Sequence, residues 1–331
     1  MLWILIIPVL LGFFVSLLFL PKWIKTSRKV GLLWEDMNKY TRPKNVAASG
    51  GIVVIAGFIV GVLAYVAINN FYIGNLDVNL KLFAMLSVIL IMGIIGLTDD
   101  LLGWRSGGLS KRLRVILAFV AAIPLIAINA GVHSINLPFL GDVNLGLIYP
   151  LVLIPLGIAG ASTTYNFLAG FNGLETGMGI IVLSFLSYVA YVTGYSWLAL
   201  VGLIMVASLL AFFFFNKYPA EVFPGDILTY SIGALIACMA ILGNFEKIAV
   251  FVYIPFIIEV GLKLRGGLRK QSFGKPQKDG SLEMPYNKVY GLTHFAIFVL
   301  KKIKGKVYEK DVVYFIFIIQ IIFVLLGFLM I

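Results

Sequence analysis

Long uncharged stretches alternate with short polar ones along the whole chain. Apolar segments of roughly twenty residues, the length a helix needs to cross a bilayer's hydrocarbon core, fall at 1–20, 52–70, 82–97, 113–130, 147–165, 177–193, 197–216, 227–243, 248–264 and 312–331. The pattern predicts an all-α polytopic membrane protein of about ten transmembrane helices. All of it reads as a single integral-membrane domain over 1–331. The stretch 289–300 is too short to span and reads as interfacial. Residues 1–20 have no basic n-region and run into Pro21-Lys22 with no small-residue cleavage site. They read as a retained first span rather than a signal peptide.

Charge orients these segments. Of the 26 Lys and Arg residues, all but Lys81 and Lys247 lie in alternate loops, at 21–50, 98–114, 217–225 and 263–310. Basic loops stay on the cytoplasmic side, so both termini are expected outside and the polar loops inside. A chain 61% hydrophobic and 12% charged is no soluble domain of this length. The net charge of +11, with no soluble module to present it, suits a lipid bilayer's anionic headgroups and phosphate-bearing substrates, not nucleic acid. The single cysteine, Cys238, lies in an apolar run and excludes a disulfide framework. Gly57 and Gly61, four residues apart, suit close helix packing within the chain. The external loop 131–146, with Gly131, Pro138 and Gly141-Asp142, has turn chemistry, and His133 in it reads as solvated.

Unusual chemistry gathers in the inner loops. Gly96-Leu97-Thr98-Asp99-Asp100 sets two carboxylates at the expected exit of the third span, where ionisable groups point to function. Lys111-Arg112-Leu113-Arg114 follows. The first inner loop carries Asn38 to Lys44, then Ala48-Ser49-Gly50-Gly51, whose small residues either offer free N–H groups to an anion or place Ser49 as a helix cap. The third carries Asn166-Phe167-Leu168-Ala169-Gly170-Phe171-Asn172-Gly173-Leu174-Glu175. The fourth carries Asn216-Lys217-Tyr218-Pro219 and Glu221-Val222-Phe223-Pro224-Gly225-Asp226, where Asp226 alone would read as a helix N-cap. The fifth, 265–288, holds Arg265, Arg269, Lys270, Lys275 and Lys278. Carboxylates, amides and lysines on one face suit Mg²⁺ with substrate phosphates, Mn²⁺ being the alternative, and phosphoryl transfer as the chemistry.

From Leu33 through the last loop, these motifs resemble the polyprenyl-phosphate N-acetylhexosamine-1-phosphate transferases. The nearest branch is the UDP-GlcNAc:dolichyl-phosphate GlcNAc-1-phosphate transferases of eukaryotes and archaea. The carriers are Gly96–Asp100, Asn166–Glu175 and Asn216–Asp226, with Lys278-Asp279-Gly280-Ser281-Leu282-Glu283-Met284-Pro285-Tyr286. The resemblance implies a membrane enzyme with its active site on the cytoplasmic face, passing GlcNAc-1-phosphate from UDP-GlcNAc to a polyprenyl (dolichyl) phosphate. It implies Asp99, Asp100 and Lys111 as catalytic residues, with Arg112 competing for the phosphate role of Lys111. Asn166 and Asp226 would hold Mg²⁺, and Gly170 and Asn172 the uracil. Lys44, Glu175, Arg269, Lys270 and Lys275 complete the expected substrate contacts, and a homodimer is expected.

Two departures from the family pattern stand out. Ala47-Ala48-Ser49 replaces a glutamate of the eukaryotic relatives, and the fifth loop has neither the histidine motif of bacterial relatives nor the paired arginines of eukaryotic ones. Another donor, such as a UDP-N-acetylhexosamine or a muramoyl-pentapeptide nucleotide, is the alternative within the fold. Leu282–Tyr286, with Asn172 and Glu175 in place of aspartates, argues against the muramoyl version. A transporter is the alternative outside it. Transporters place their sites near the midplane, whereas these spans are almost charge-free at their centres, Glu259 being the nearest exception.

Overall fold

The computed structural model of the protein describes residues 2–73, 77–137 and 141–331. In chain order its helices are α1 (Ile6–Val30), α2 (Gly51–Ile68), α3 (Asp77–Ser106), α4 (Lys111–Ala121), α5 (Ile123–Ala127), α6 (Ile154–Phe167), α7 (Leu174–Val192), α8 (Ser196–Asn216), α9 (Gly225–Gly243), α10 (Glu246–Val252), α11 (Ile254–Arg265), α12 (Leu292–Lys304) and α13 (Glu309–Gly327). Three two-stranded antiparallel pairs complete it: β1 (Leu33–Glu35) with β2 (Lys44–Ala47), β3 (Ser134–Leu137) with β4 (Gly141–Asn144), and β5 (Lys275–Pro276) with β6 (Leu282–Glu283).

Among the described residues seven helices are long and apolar enough to cross a membrane: α1, α2, α3, α7, α8, α9 and α13. The other three apolar runs are interrupted, and proline marks each interruption. The run 113–130 breaks between α4 and α5, beside Pro124. A π-helical turn at Tyr149–Leu153 containing Pro150 precedes α6, which has Pro155 in its own first turn. The run 248–264 breaks at Tyr253, before Pro255. Proline has no N–H to donate and clashes with the preceding turn, so an unbroken hydropathy signal is divided into shorter helices.

α9 is the hub, buried along nearly its whole length and packed against α2, α3, α6, α7, α8 and α10. α2 lies on α1 at close range, as the small residues predict. A Cβ on Gly57 would sit 2.8 Å from the Gly12 carbonyl oxygen, and one on Gly61 2.7 Å from that of Pro8. The 131–146 segment contains the β3–β4 pair. α12 is too short to span. It buries Leu292, Ala296 and Ile297, exposes Phe295 and Phe298, and ends in Lys301, Lys302 and Lys304, as an interfacial segment would.

The start of α2 differs from the expected anion site. Gly50 and Gly51 donate their N–H groups to the carbonyls of Phe223 and Pro224, both at 2.9 Å, and Ala47 exchanges backbone bonds with Glu221 and Phe223. The small residues serve close backbone pairing with the fourth loop and leave these donors occupied. Ser49 does not cap α2 either; the cap position is Gly50, with no side-chain bond.

Candidate active site

Asp99 and Asp100 lie inside α3, which continues to Ser106, rather than at its exit. Adjacent helix positions face different ways, and the two serve different partners. Asp100 accepts the backbone N–H groups of Asp226 (2.8 Å) and Ile227 (3.3 Å) and a hydrogen bond from the Ser49 side chain. Those N–H groups open α9, where unpaired donors and the positive dipole end favour a carboxylate. Asp100 therefore caps α9 from another helix. Two glycines permit the approach: a Cβ on Gly96 would lie 2.5 Å from the Asp226 carbonyl carbon, and one on Gly225, at φ +73°, would collide with Asp100 Oδ2.

Asp99 accepts the Leu109 N–H at 2.6 Å and pairs with Arg114, Nη1 to Oδ2 2.9 Å. Arg114 also stands 3.9 Å from Asp226 Oδ2 and donates to the Tyr230 hydroxyl at 3.4 Å. Asp226 is not the cap of its own helix, a position held by Pro224. Its carboxyl lines the same cavity as that of Asp99, and Arg114 stands beside both. A cavity of about 370 Å³ is lined by Asp99, Asp100, Arg114, Asn166, Glu175 and Asp226, with Gly170 and Phe273 among its other walls. A second, of about 390 Å³, shares Arg114, Asn166, Gly170 and Phe273 with it and adds Tyr230, Lys263 and Lys270.

The amide loop after α6 is held from several directions. Gly170, at φ +107°, donates its N–H to Glu175 Oε1 (2.8 Å), and its carbonyl accepts from Asn38 Nδ2 (2.8 Å). A Cβ on Gly170 would meet the Phe273 ring at 2.7 Å, so the fifth loop packs on this backbone. Asn38 Oδ1 accepts the Gly274 N–H at 3.0 Å. Asn172 is buried and bonded to Asp36 and Glu309. Lys263 pairs with Glu259 at 3.6 Å and donates to the Lys270 carbonyl at 3.2 Å.

The structure brings together Asp99, Asp100, Asn166, Gly170, Glu175 and Asp226, with Lys270 on the adjoining cavity. Lys44 on β2, Arg269, and Lys275 on β5 are exposed and line neither cavity. The Lys111 side chain lies outside the described residues; its backbone opens α4. Arg112 is exposed. Among the described side chains, Arg114, two residues on, is the cation that meets the aspartates. The i, i+3 spacing of Lys111 and Arg114 on one helical face was the available signal. Asp36, Lys39 and Glu309 were not singled out by sequence reasoning either, because nothing local marks a loop residue and a distant helix start as neighbours.

This donor set fits a hard divalent cation. Two carboxylates about 4 Å apart repel by about 4 kcal/mol at an effective dielectric of 20, and among the described side chains one arginine, Arg114, stands by Asp99 and Asp226. Asp99 Oδ2, although beside Arg114, is buried without a hydrogen bond. Among the described residues no three acidic, histidine or cysteine side chains form a closed cage. Mg²⁺ ordinarily takes one or two carboxylates and completes its shell with water and substrate phosphate.

Comparison with known proteins agrees with this chemistry. A family model described as glycosyl transferase family 4 matches residues 82–244, which include both aspartates of α3, the amide loop and all of α9. A protein of Saccharolobus solfataricus, provisionally named a UDP-N-acetylglucosamine–dolichyl-phosphate N-acetylglucosaminephosphotransferase, is 36% identical over 93% of this chain and 91% of its own length. A Sulfolobus acidocaldarius protein of the same provisional name is 34% identical over 97% and 94%. A phospho-N-acetylmuramoyl-pentapeptide-transferase of Streptococcus pyogenes is 29% identical over 77% of each. Similarity of this extent, running through the residues that meet in the cavity, places the chain in glycosyl transferase family 4.

Proposed function

We propose that this chain transfers N-acetylglucosamine 1-phosphate from UDP-GlcNAc to a membrane polyprenyl (dolichyl) phosphate, giving lipid-diphosphate-GlcNAc and UMP. One observation carries the reading. Residues from the C-terminal third of α3, the end of α6 and the start of α9 converge with an arginine of α4 on one cavity. The names of the two archaeal relatives support the donor and acceptor. In the reaction an oxygen of the lipid phosphate forms a bond to the β-phosphorus. The bond from that phosphorus to the bridging oxygen breaks, and UMP leaves with the electron pair. A phosphate monoester has its second pKa near 6 and is largely dianionic at pH 7. No proton need be removed from the nucleophile, which supports direct displacement over a covalent aspartyl intermediate.

Each residue has a part in this. Arg114 supplies a fixed cation for the phosphate oxygens, and Asp99 orients it. Asp100 holds the first turn of α9 and so aims Asp226. Asn166 and Asp226 would hold Mg²⁺, which supplies charge neutralisation on the diphosphate. Gly170, a wall of both cavities, would serve the nucleobase, whereas Asn172 is buried behind that loop and lines neither cavity; the second cavity, with Lys263 and Lys270, suits the diphosphate and sugar. A third cavity, of about 400 Å³, is lined almost wholly by apolar residues of α6, α9, α10 and α11, such as Ile154, Ala161, Ile236 and Ile257. It suits the acceptor's hydrocarbon chain. The three interrupted apolar runs, counted as crossings, support ten spans. The loop charge asymmetry supports external termini and a cytoplasmic site.

Membranes carrying the protein should release UMP from UDP-GlcNAc only when polyprenyl phosphate and Mg²⁺ or Mn²⁺ are both present, and Asp226→Ala should abolish release. Uptake of nucleotide sugar without UMP release would refute transfer in favour of transport. The Streptococcus relative, named for a muramoyl-pentapeptide donor, favours a second reading in which the same site takes another UDP-sugar. A panel of UDP-sugars with mass analysis of the lipid product separates the two.

A further inference from the structure

The first inner loop meets the amide loop and the fifth loop at one buried side chain. Asn38 is 3% exposed. It donates from Nδ2 to the Gly170 carbonyl at 2.8 Å and accepts the Gly274 N–H on Oδ1 at 3.0 Å. A carboxamide can donate at one end and accept at the other, which an ionised carboxylate cannot. These partners also leave the amide one orientation, since flipping it would set oxygen against oxygen and N–H against N–H. The loop that carries Asn38 is itself anchored. Its backbone N–H goes to Asp36 Oδ1 at 3.3 Å, and the next residue, Lys39, pairs with Glu309 and with Asp36 Oδ2, the latter at 3.2 Å. Burial opposes charge on Lys39, yet Glu309 and Asp36 outweigh it and hold the ammonium above its ordinary pKa.

Asn38 acts at the border of the two polar cavities. Gly170 and Phe273 line both, and the Phe273 ring lies so close that a Cβ on Gly170 would meet it at 2.7 Å. Each loop has a separate fastening of its own. Glu175 Oε1 holds the Gly170 N–H at 2.8 Å. Lys263 holds the Lys270 carbonyl and the Ser272 hydroxyl, and Thr293 holds the Ser272 carbonyl at 2.7 Å. A second polar link between the loops, from Ser272 Oγ to the Phe167 carbonyl, is long at 3.5 Å. Asn38 therefore builds neither wall; it sets the spacing of one against the other.

We propose that Asn38 is a positioning residue for the donor, fixing the Gly170–Phe273 border and so the register in which a single ligand occupies both cavities. A nucleoside monophosphate ends within the first cavity, whereas a nucleotide sugar crosses the border. This rests on the reading of the two cavities as one nucleotide-sugar site.

The test measures the Kd of UMP and of UDP-GlcNAc by calorimetry on the purified full-length protein, with Mg²⁺ and without acceptor lipid. Asn38→Ala unties the border. It should weaken UDP-GlcNAc about tenfold, as the loss of one buried hydrogen bond implies, and leave UMP within about twofold. Phe273→Ala opens the same border by removing the ring and should give the same pattern. Because both act through one border, their effects on UDP-GlcNAc should not add in the double variant, whereas those of independent sites do. Should Asn38→Ala fail to accumulate, Asn38→Ser, whose hydroxyl is too short to reach both loops, takes its place with the same expected result. The inference is overturned if UMP and UDP-GlcNAc weaken together as the melting temperature falls, which is what a merely structural asparagine would give, or if the two effects add. It is overturned too if the wild type binds UDP-GlcNAc no more tightly than UMP, since nothing would then be gained beyond the border, although the uridine reading would stand. A wild type that binds neither would sink the functional reading, and this inference with it.

Discussion

Replacing Asp100 with asparagine keeps the side chain's size and removes its charge, so it isolates the capping of α9 by α3. Asp100 holds two backbone N–H groups of α9, at 2.8 and 3.3 Å. Asparagine has a single acceptor oxygen, so one of those donors would face the new NH₂ and stay unpaired. An unsatisfied buried donor costs about 1–3 kcal/mol, and the loss of a charged partner for the remaining bond about another 1 kcal/mol. A stability loss of about 3 kcal/mol is expected, read as a lowered melting temperature in detergent. Asp226 is one of the two residues whose N–H is released, so its carboxylate would shift with the helix end. A misplacement of about 1 Å can cost about a hundredfold in rate. UMP release should therefore fall about a hundredfold in kcat, with KM for UDP-GlcNAc nearly unchanged. Wild-type melting with complete loss of activity would refute the reasoning, because Asp100 would then act on the reacting groups directly. Wild-type melting with wild-type activity would refute the cap altogether.

Arg114→Ala should lower UMP release at least a hundredfold, as the loss of a fixed cation at a phosphoryl group does, whereas Arg112→Ala, at an exposed residue that lines neither cavity, should leave it near wild type. Gly96→Ala places a methyl 2.5 Å from the Asp226 backbone and should cost about 1–3 kcal/mol by overpacking, with activity falling alongside. Gly103→Ala, whose nearest neighbour would be the Trp34 ring at 4.0 Å, should be tolerated by both measures. The raised pKa of Lys39 in the folded protein means that its stabilisation is fully present below the unfolded lysine pKa, near 10.4, and is lost as pH rises through the folded value. The melting temperature should therefore fall more steeply above about pH 10 in wild type than in Lys39→Arg, whose side chain does not titrate there.

Hydropathy and loop charge made the membrane architecture legible, because both are properties of segments. The seven uninterrupted helices coincide with seven of the apolar runs. The breaks beside Pro124, Pro155 and Pro255 were visible as residues but not as breaks, since prolines are also tolerated inside membrane helices. Pro21 lies within the unbroken α1. Asp99, Asp100, Asn166 and Asp226 were found through motifs that place unusual groups at segment ends. Their division of labour was not legible: that Asp100 faces the α9 backbone and Asp99 faces Arg114 depends on which neighbour each side of α3 meets. Arg114 was hidden in a basic run whose members differ only in helical phase. Lys44, Arg269 and Lys275 were expected from the family resemblance; all three are exposed and line neither cavity. Glu309 could not have been found at all, since its partners Lys39 and Asn172 lie 270 and 137 residues away.

The most direct measurement follows two labels through one turnover. Purified protein is given polyprenyl phosphate, Mg²⁺ and UDP-GlcNAc carrying ³²P at the β-position and a tritiated sugar. Transfer of the sugar 1-phosphate requires both labels to enter the lipid fraction in equal amounts, with unlabelled UMP as the released nucleotide. Tritium alone in the lipid, with ³²P leaving as UDP, would contradict the account.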